Sequence, residues 1–251
     1  CRHWPTPCAH AGGPRSMSSY RTQHTRIAID GVDDLLIRSL ADRQQFDDPR
    51  GHAAMLGISS AAWPLFGLPW PSGLQLAARL AARPVREGER ILEIGCGLAL
   101  PSLVGHRRGA DITASDCHPL AAGFLRANLL LNGLQPLSYR HGQWNTPDRV
   151  RVREGRHRGS VVRGRFDLII GSDLLYERDV RGGLAAFIAH HAKVDAQVWI
   201  VDPDRSNRPA FHRAMAGAGF GLDELRLDRD AGPGKPAYRG RLLRYRRGNP
   251  A

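Results

Sequence analysis

A short glycine-containing segment, ILEIGCGLALPSL, places a carboxylate beside a turn between a predicted strand and a predicted helix. Glu93 lies near the end of the strand, and Gly95 and Gly97 lie in the turn. Because these glycines carry no Cβ atom, a ligand can approach the backbone closely there. A dinucleotide fingerprint would have a third glycine at position 100, where this chain has Leu100. The pattern therefore disfavours NAD and FAD.

A second carboxylate, Asp116, follows Gly97 by about 19 residues and ends the next predicted strand. In nucleotide-binding sheets, a carboxylate at this place binds the hydroxyls of a ribose. The glycine turn and Asp116 together predict an adenosine ligand without a pyrophosphate.

A third polar group follows the apolar run FDLIIGSD, which is typical of a buried central strand. Asp173 and Tyr176 come at its carboxyl end, where open α/β sheets bind their ligands. His190 and His191 fall on a predicted helix away from this edge, and we expect both to be solvated.

The elements that must position these residues follow an alternating pattern. From Arg90 onward, short apolar strands alternate with amphipathic helices, which predicts a parallel sheet covered on both faces. Upstream, the pair Asp30-Gly31 between apolar segments predicts a β-hairpin. Ser72 is expected to cap a helix after the proline-rich stretch AAWPLFGLPWPSG. The segments GLDELRLD and YRGRLLRYRR are expected to be final strands that pair with each other.

Length and charge limit the function classes. The 251 residues suffice for one α/β domain with a buried core, and no apolar run approaches the roughly 20 residues of a membrane span. Lys and Arg number 36 against 24 acidic residues, for a net charge of +12, and only Lys193 and Lys235 are lysines. This excess is compatible with nucleic acid or an acidic partner, but the arginines are scattered along the chain and can equally reflect a codon-biased genome.

The chain contains four cysteines: Cys1, Cys8, Cys96 and Cys117. No two form a C-x-x-C pair, which favours a reduced, cytoplasmic protein. The first two, with His3 and His10, lack the usual spacing of zinc ligands, so no metal is predicted.

The glycine segment resembles the first motif of the class I S-adenosylmethionine-dependent methyltransferases, Glu/Asp-x-Gly-x-Gly-x-small, which Glu93, Gly95, Gly97 and Ala99 match. The resemblance implies a Rossmann-like, seven-strand, mostly parallel sheet with helices on both faces, here preceded by an N-terminal β-hairpin. More narrowly, WPSGLQLA, QW and GSDLLYE are similar to segments of the seven-strand protein-lysine methyltransferase family with an Asp-x-x-Tyr motif. VDPDRSNRPAF is similar to the Asp-Pro-Gly-Arg segment of the branch acting on electron-transfer flavoprotein, with Asp204 in the glycine's place.

The resemblance implies S-adenosylmethionine as the cofactor. Glu93, Gly95 and Gly97 would hold its amino-acid portion, and Asp116 would bind its ribose.

The same resemblance assigns roles around the methyl group. Trp70 and Ser72 would border the methionine end of the cofactor, and Trp144 would pack on the adenine. Asp173 and Tyr176 would face the methyl group, with Asp173 also touching the cofactor. Because an ammonium has no lone pair, these two groups could orient an acceptor amine and help to remove its proton.

Purely structural roles stay open for several of these residues. Glu93 could cap backbone amides at the turn, and Asp116 could cap a helix that begins near His118. Trp70 and Trp144 could be packing residues.

The leading hypothesis is methyl transfer to a protein lysine. GSDLLY stands where methyltransferases of planar amide or adenine nitrogens carry Asn/Asp-Pro-Pro-Tyr/Phe. The alternatives are methylation of a small heterocyclic amine, a catalytically silent cofactor-binding interaction module, and an RNA-binding protein or RNA methyltransferase. The last is suggested by the arginines between Arg149 and Arg165.

Three regions are expected along the chain. Residues 1–16 would be a disordered extension before a natural start at Met17, and residues 17–62 a hairpin and substrate-side extension. Residues 63–248 would form the methyltransferase core.

Overall fold

The computed structural model describes four stretches of the chain: residues 19–144, 161–176, 182–232 and 236–247. The expected extension over residues 1–16, with its cysteines and histidines, lies outside these stretches, as do residues 149–160 of the arginine-rich insertion.

An antiparallel hairpin opens the described chain, as the Asp30-Gly31 pair predicts. Strand β1, Thr22–Ile29, pairs with strand β2, Val32–Leu40, and Gly31 takes a φ of 84° in the turn between them. Alternate apolar side chains of β2, such as Ile37, are completely buried.

Two asparagine side chains bind the outer edge of β2. They come from the end of helix α4, Ala121–Leu131, and from the residue after it. Asn128 Oδ1 accepts the Arg38 N–H at 2.8 Å, and its Nδ2 donates to the Arg38 carbonyl at 3.4 Å. Asn132 makes the equivalent pair of bonds with Leu36, at 2.9 and 2.8 Å. Residues four apart share one face of a helix, so the two amides together take the place of a third strand.

A second sheet holds the remaining seven strands: β3 Arg90–Ile94, β4 Asp111–Asp116, β5 Ser138–His141, β6 Phe166–Ser172, β7 Ala192–Asp202, β8 Phe220–Arg226 and β9 Arg241–Arg247. Their spatial order is β5-β4-β3-β6-β7-β9-β8. The pairs that include β9 are antiparallel and the others are parallel. The expected seven-strand, mostly parallel sheet is confirmed, and so is the pairing of the two final strands.

Helices pack on both faces of this sheet. Besides α4, the helices are α1 His52–Met55, α2 Pro71–Ala82, α3 Leu100–Arg107, α5 Gly183–His191 and α6 Arg208–Gly217, with 3-10 turns at Trp63–Gly67 and Leu174–Tyr176. On β6, Leu168 and Ile170 belong to the same buried cluster as Leu76 of α2. Ile169, which points to the opposite face, clusters with Ile188 of α5. In the described part of the chain, no helix is both long and apolar enough to cross a membrane.

Two local expectations are wrong. Helix α2 begins at Pro71, so Ser72 lies inside its first turn and does not cap it. The Ser72 hydroxyl instead forms a hydrogen bond with the Tyr238 hydroxyl at 3.0 Å. His191 is buried rather than solvated, because its Nδ1 donates to the Gly164 carbonyl at 2.9 Å where the helix meets the following strand. His190, in contrast, is exposed as expected.

We expect Asn128→Ala to lower the free energy of unfolding by about 1–3 kcal/mol, because the Arg38 N–H would lose its acceptor at the hairpin edge. Urea unfolding followed by circular dichroism measures the change. Gln23→Ala, at an exposed position of β1, is the control and should stay within about 0.5 kcal/mol of the wild type. Equal losses in the two variants would contradict the role of Asn128.

Candidate functional site

The carboxyl ends of four neighbouring parallel strands bring acidic residues to one edge of the sheet. From β3 the chain proceeds outward to β4 and β5, and it then returns to β6 and β7 on the other side. Such a reversal of strand order opens a crevice where α/β sheets bind ligands. Glu93 lies near the end of β3, Asp116 ends β4, Asp173 follows β6 and Asp202 ends β7.

The turn after β3 consists largely of left-handed backbone. Gly95, Gly97 and Ala99 have φ angles of 58°, 51° and 60°. A Cβ atom on Gly97 would lie only 2.8 Å from the backbone oxygen of Phe66, so both conformation and space require glycine there. Ala99 directly precedes α3, whose N-terminus therefore faces the turn.

Glu93 joins this turn to α3 from inside the protein. The residue is 2% exposed, and its Oε2 accepts hydrogen bonds from the Ser102 N–H at 2.8 Å and from the Ser102 hydroxyl. Burial, with a smaller contribution from the nearby Asp116 charge, raises the pKa of Glu93 to about 8 despite these bonds. Glu93 therefore caps backbone at the start of α3, which is the structural role that its sequence position left open.

Asp116 connects the glycine turn to the loop after β4. Its Oδ2 accepts the Gly97 N–H and its Oδ1 accepts the His118 N–H, each at 2.8 Å. Burial raises its pKa. Helix α4 begins only at Ala121, so Asp116 does not cap it. A carboxylate has about four acceptor positions, and Asp116 keeps capacity for a hydroxyl of a ligand.

The two tryptophans have different surroundings. Trp144 is half-buried, with its ring centroid 5.8 Å from that of Phe187, and its ring edge would be 3.4 Å from a Cβ atom on Gly95. Trp70 precedes α2, and its indole N–H donates to the Leu65 carbonyl at 2.8 Å. The structure thus brings Trp144 next to the glycine turn, whereas the indole N–H of Trp70 is hydrogen-bonded within the proline-rich stretch.

Asp173 and Tyr176 differ in their surroundings. Asp173 has a left-handed φ of 56°, and its backbone N–H donates to the Val201 carbonyl at 3.0 Å. Its Oδ1 forms an ion pair with Arg205 Nη2 at 2.9 Å, while its Oδ2 is buried and has no hydrogen-bond partner among the residues that the structure describes. Tyr176 ends the 3-10 turn that follows and is 48% exposed.

The sequence patterns assigned no role in the site to Asp202, Arg205 or Tyr238, although Asp202 and Arg205 are the Asp and Arg of the segment that resembles Asp-Pro-Gly-Arg. Asp202 is completely buried, and its Oδ1 accepts the Arg205 N–H at 2.7 Å. Its place at the end of the strand AQVWIVD was a usable signal. Tyr238 comes from the connection between β8 and β9, and no local pattern predicts its contact with Ser72.

The described residues contain no group of three or more His, Cys, Asp or Glu side chains arranged to hold a metal ion. Cys96 is buried and forms no disulfide bond within the described residues. Burial raises the pKa of Cys96 well above its usual value, so it is a packing residue of the glycine turn rather than a reactive thiol.

The fold recurs in solved methyltransferase structures, although no family model matches the chain. One is the ribosomal protein L11 methylase from Lactobacillus delbrueckii subsp. bulgaricus, with a TM-score of 0.52 and 21% identity, covering 72% of this chain and 81% of that one. Another is the magnesium protoporphyrin IX methyltransferase (ChlM) from Synechocystis PCC 6803 with bound S-adenosylmethionine. Its TM-score is 0.52 at 16% identity, covering 70% of this chain and 78% of that one.

With this sheet order and glycine turn, and with methyltransferases among both its sequence relatives and its structural neighbours, the chain is a class I methyltransferase that depends on S-adenosylmethionine. In sequence it is similar to the electron transfer flavoprotein beta subunit lysine methyltransferase of Rattus norvegicus. The two are 27% identical over 194 residues, which cover 75% of this chain and 69% of the rat protein.

We expect Gly97→Ala to destabilise the protein more than Gly109→Ala does. Both positions have left-handed backbone, which costs an L-residue about 1–2 kcal/mol. A Cβ atom at Gly109 would meet no atom within 4 Å, whereas one at Gly97 would meet the Phe66 oxygen. Urea unfolding of both variants measures the difference. Equal losses would show that the close approach at Gly97 has no energetic effect.

We expect Glu93→Gln to remove part of the pH dependence of stability. The pKa of Glu93 in the folded protein is about 8, against a usual 4.5, so between these values the folded state holds a proton that the unfolded chain has released. The contribution of Glu93 is therefore complete below pH 4.5 and is lost as the pH rises through about 8. Chemical unfolding from pH 5 to 8 should show a falling wild-type stability and a smaller fall in the variant.

The exposed Glu87→Gln is the matched control for this experiment and should keep the wild-type dependence. An unchanged slope in Glu93→Gln would mean that Glu93 is ionised in the folded protein at neutral pH.

Proposed function

We propose that this methyltransferase transfers a methyl group from S-adenosylmethionine to the side-chain amine of a lysine in a protein substrate. The observation that carries the proposal is the Asp173 carboxylate at the end of β6. One of its oxygens is held by Arg205, and the side chain keeps 12% of its surface exposed. A carboxylate at the carboxyl end of a strand, where open α/β sheets bind their ligands, can accept a hydrogen bond from an amine. The similarity to a rat lysine methyltransferase supports the same acceptor.

The residues of the glycine turn fit the cofactor. We propose that Gly95 and Gly97 contact its amino-acid portion through their backbone, with Glu93 holding the turn against α3. Asp116 would use its remaining acceptor position for a ribose hydroxyl. When bound, S-adenosylmethionine supplies a methyl group that its sulfonium already activates for transfer.

The aromatic and hydroxyl groups around the turn would complete this site. Trp144 would pack on the adenine, which its half-buried ring beside Gly95 supports. Trp70 and Ser72 would border the methionine end, with Ser72 held in place by Tyr238.

The acceptor must reach the methyl group as a free amine, because a lysine with its ordinary pKa of about 10.4 is an ammonium without a lone pair. Asp173 would accept a hydrogen bond from the amine nitrogen and take up the proton that it loses. Tyr176, at the exposed end of the 3-10 turn, would line the entry of the lysine side chain. Together, the two groups would hold the acceptor amine in line with the methyl group that the bound cofactor would supply.

We propose the electron-transfer flavoprotein β subunit as the first substrate to test. The name of the rat relative specifies that protein. The local backbone also supports it, because Asp204 has a left-handed φ of 60°. Glycine adopts this conformation freely, so the backbone at Asp204 is compatible with the glycine of the Asp-Pro-Gly-Arg segment that the chain resembles.

The substrate side and the location are further proposals. The hairpin that Asn128 and Asn132 attach to α4 supports a substrate-side role for residues 17–62, next to a core over residues 63–248. The absence of a C-x-x-C pair among the four cysteines supports a cytoplasmic location.

The test is a labelled-methyl assay with the full chain. Electron-transfer flavoprotein β subunit, ribosomal protein L11, RNA and a panel of heterocyclic amines are offered in parallel, and mass spectrometry locates the label. We expect methyllysine in a protein. Asp173→Asn should lower kcat by about 10²–10⁴-fold because the amine loses its proton acceptor, while calorimetry shows an S-adenosylmethionine affinity close to that of the wild type.

Asp195→Asn, at an exposed position on β7, is the matched control and should change neither quantity. Label confined to RNA or to a heterocyclic amine would replace the proposal with one of those acceptors. Cofactor binding without any turnover would favour a silent interaction module, and full activity of Asp173→Asn would contradict the mechanism.

A further inference from the structure

The 3-10 turn after β6 carries the chain from the buried sheet to the exposed Tyr176. Leu174 and Leu175 are buried in this turn, whereas Tyr176 keeps about half of its surface in solvent. Leu174 also reaches the glycine turn, because its Cδ2 atom lies 2.5 Å from the position that a Cβ atom on Gly95 would occupy. Packing of the two leucines therefore fixes the start of the turn beside the proposed cofactor site.

The end of the turn is held by a side chain from another part of the fold. Leu175 has a φ of −92° and a ψ of 24°, which departs from helical values, and three residues are too few for a series of backbone hydrogen bonds. The Leu175 carbonyl accepts a hydrogen bond from Asn207 Nδ2 at 2.9 Å. Because a peptide group is planar, this bond fixes the plane between Leu175 and Tyr176, and with it the direction in which Tyr176 leaves the backbone.

Asn207 stands where an asparagine ordinarily serves its own helix. It directly precedes α6, and asparagine is among the preferred residues at that position because its side chain can accept a backbone N–H of the first turn. The Asn207 side chain forms no such capping bond with the described residues of α6. Its amide instead contacts a residue 32 positions away in sequence, in the turn that presents Tyr176.

The segment that carries Asn207 is itself attached to the same turn. Arg205 binds the Asp173 carboxylate at 2.9 Å, so two contacts with the same sequence offset join the loop after β7 to the turn after β6. Helix α6 packs through Phe211 in the buried cluster that also contains Leu175. The loop after β7 and the start of α6 are therefore a fixed support for the turn.

We propose that Asn207 is a positioning residue for the methyl acceptor. Its side chain is committed to the Leu175 carbonyl, and it acts on the substrate through Tyr176. With the peptide before Tyr176 fixed, the phenol ring stays at the entry of the substrate lysine and need not be ordered when the substrate binds. The inference rests on the proposed function and extends it from the residues that line the site to one that holds them.

The test is the kinetics of Asn207→Asp on the protein substrate found in the labelled-methyl assay. The variant keeps the size of the side chain and a good residue before α6, but it has no N–H to donate to Leu175. We expect KM for the substrate to rise about tenfold, while the Kd for S-adenosylmethionine stays close to that of the wild type. A merely structural role would lower the folded fraction, which reduces the apparent kcat and leaves KM unchanged.

Ser206→Ala, at the exposed neighbouring position, is the matched control and should behave as the wild type. Asn207→Ala removes the same donor without adding a charge, so it covers the case in which Asn207→Asp does not fold, and we expect the same rise in KM. An unchanged KM in the Asn207 variants, with or without a lower kcat, would overturn the inference.

A double-mutant cycle tests whether Asn207 acts through Tyr176. Calorimetry measures the binding of the target peptide to the S-adenosylhomocysteine complex of the wild type, Asn207→Ala, Tyr176→Ala and the double variant. We expect Asn207→Ala to weaken peptide binding about tenfold by itself and to have no further effect once the ring of Tyr176 is gone. Equal effects in the two backgrounds would overturn the inference. A wild type that methylates no protein lysine would instead refute the proposed function itself, so the two failures are distinguishable.

Discussion

The burial of two carboxylates beneath the glycine turn is the constraint on which the site depends. Glu93 binds the first turn of α3, and Asp116 binds the Gly97 N–H and the loop after β4. Burial makes ionisation of both groups costly, and the backbone donors around them offset part of that cost. The left-handed path of the turn is held between these two carboxylates, and the ends of β3 and β4 are joined through it.

The other half of the site depends on contacts between distant segments. Asp173 follows β6, and Asp202 ends the neighbouring strand β7. Arg205, in the loop after β7, forms hydrogen bonds with both residues. Tyr238 reaches Ser72 from the connection between the last two strands, so the C-terminal hairpin helps to position the start of α2. The glycine turn follows β3, whereas Asp173 follows β6 and Asp202 ends β7. The two groups of residues therefore lie on either side of the point where the strand order reverses.

The large positive charge is partly used inside the fold. Asp204 binds the guanidinium groups of Arg208, Arg226 and Arg241, which joins α6, β8 and β9 at one corner of the sheet. Other arginines donate to backbone carbonyls, as Arg108 does to two residues at the end of α2. Pairs of this kind contribute little each when exposed, but they show that an arginine-rich composition does not by itself define a nucleic-acid surface.

The sequence by itself determined the strands, the helices and which residue types stand at the ends of the strands, because alternation, turn residues and glycine spacing are local properties of the chain. It therefore predicted the Asp30-Gly31 hairpin, the glycine turn after β3 and the pairing of the last two strands. Only the tertiary structure decided that Ser72 bonds a tyrosine 166 residues away, that His191 is buried, and that Arg205 joins Asp173 to Asp202. These contacts join segments that are far apart in sequence, so packing of the whole sheet and its helices selects them, and no local pattern encodes them.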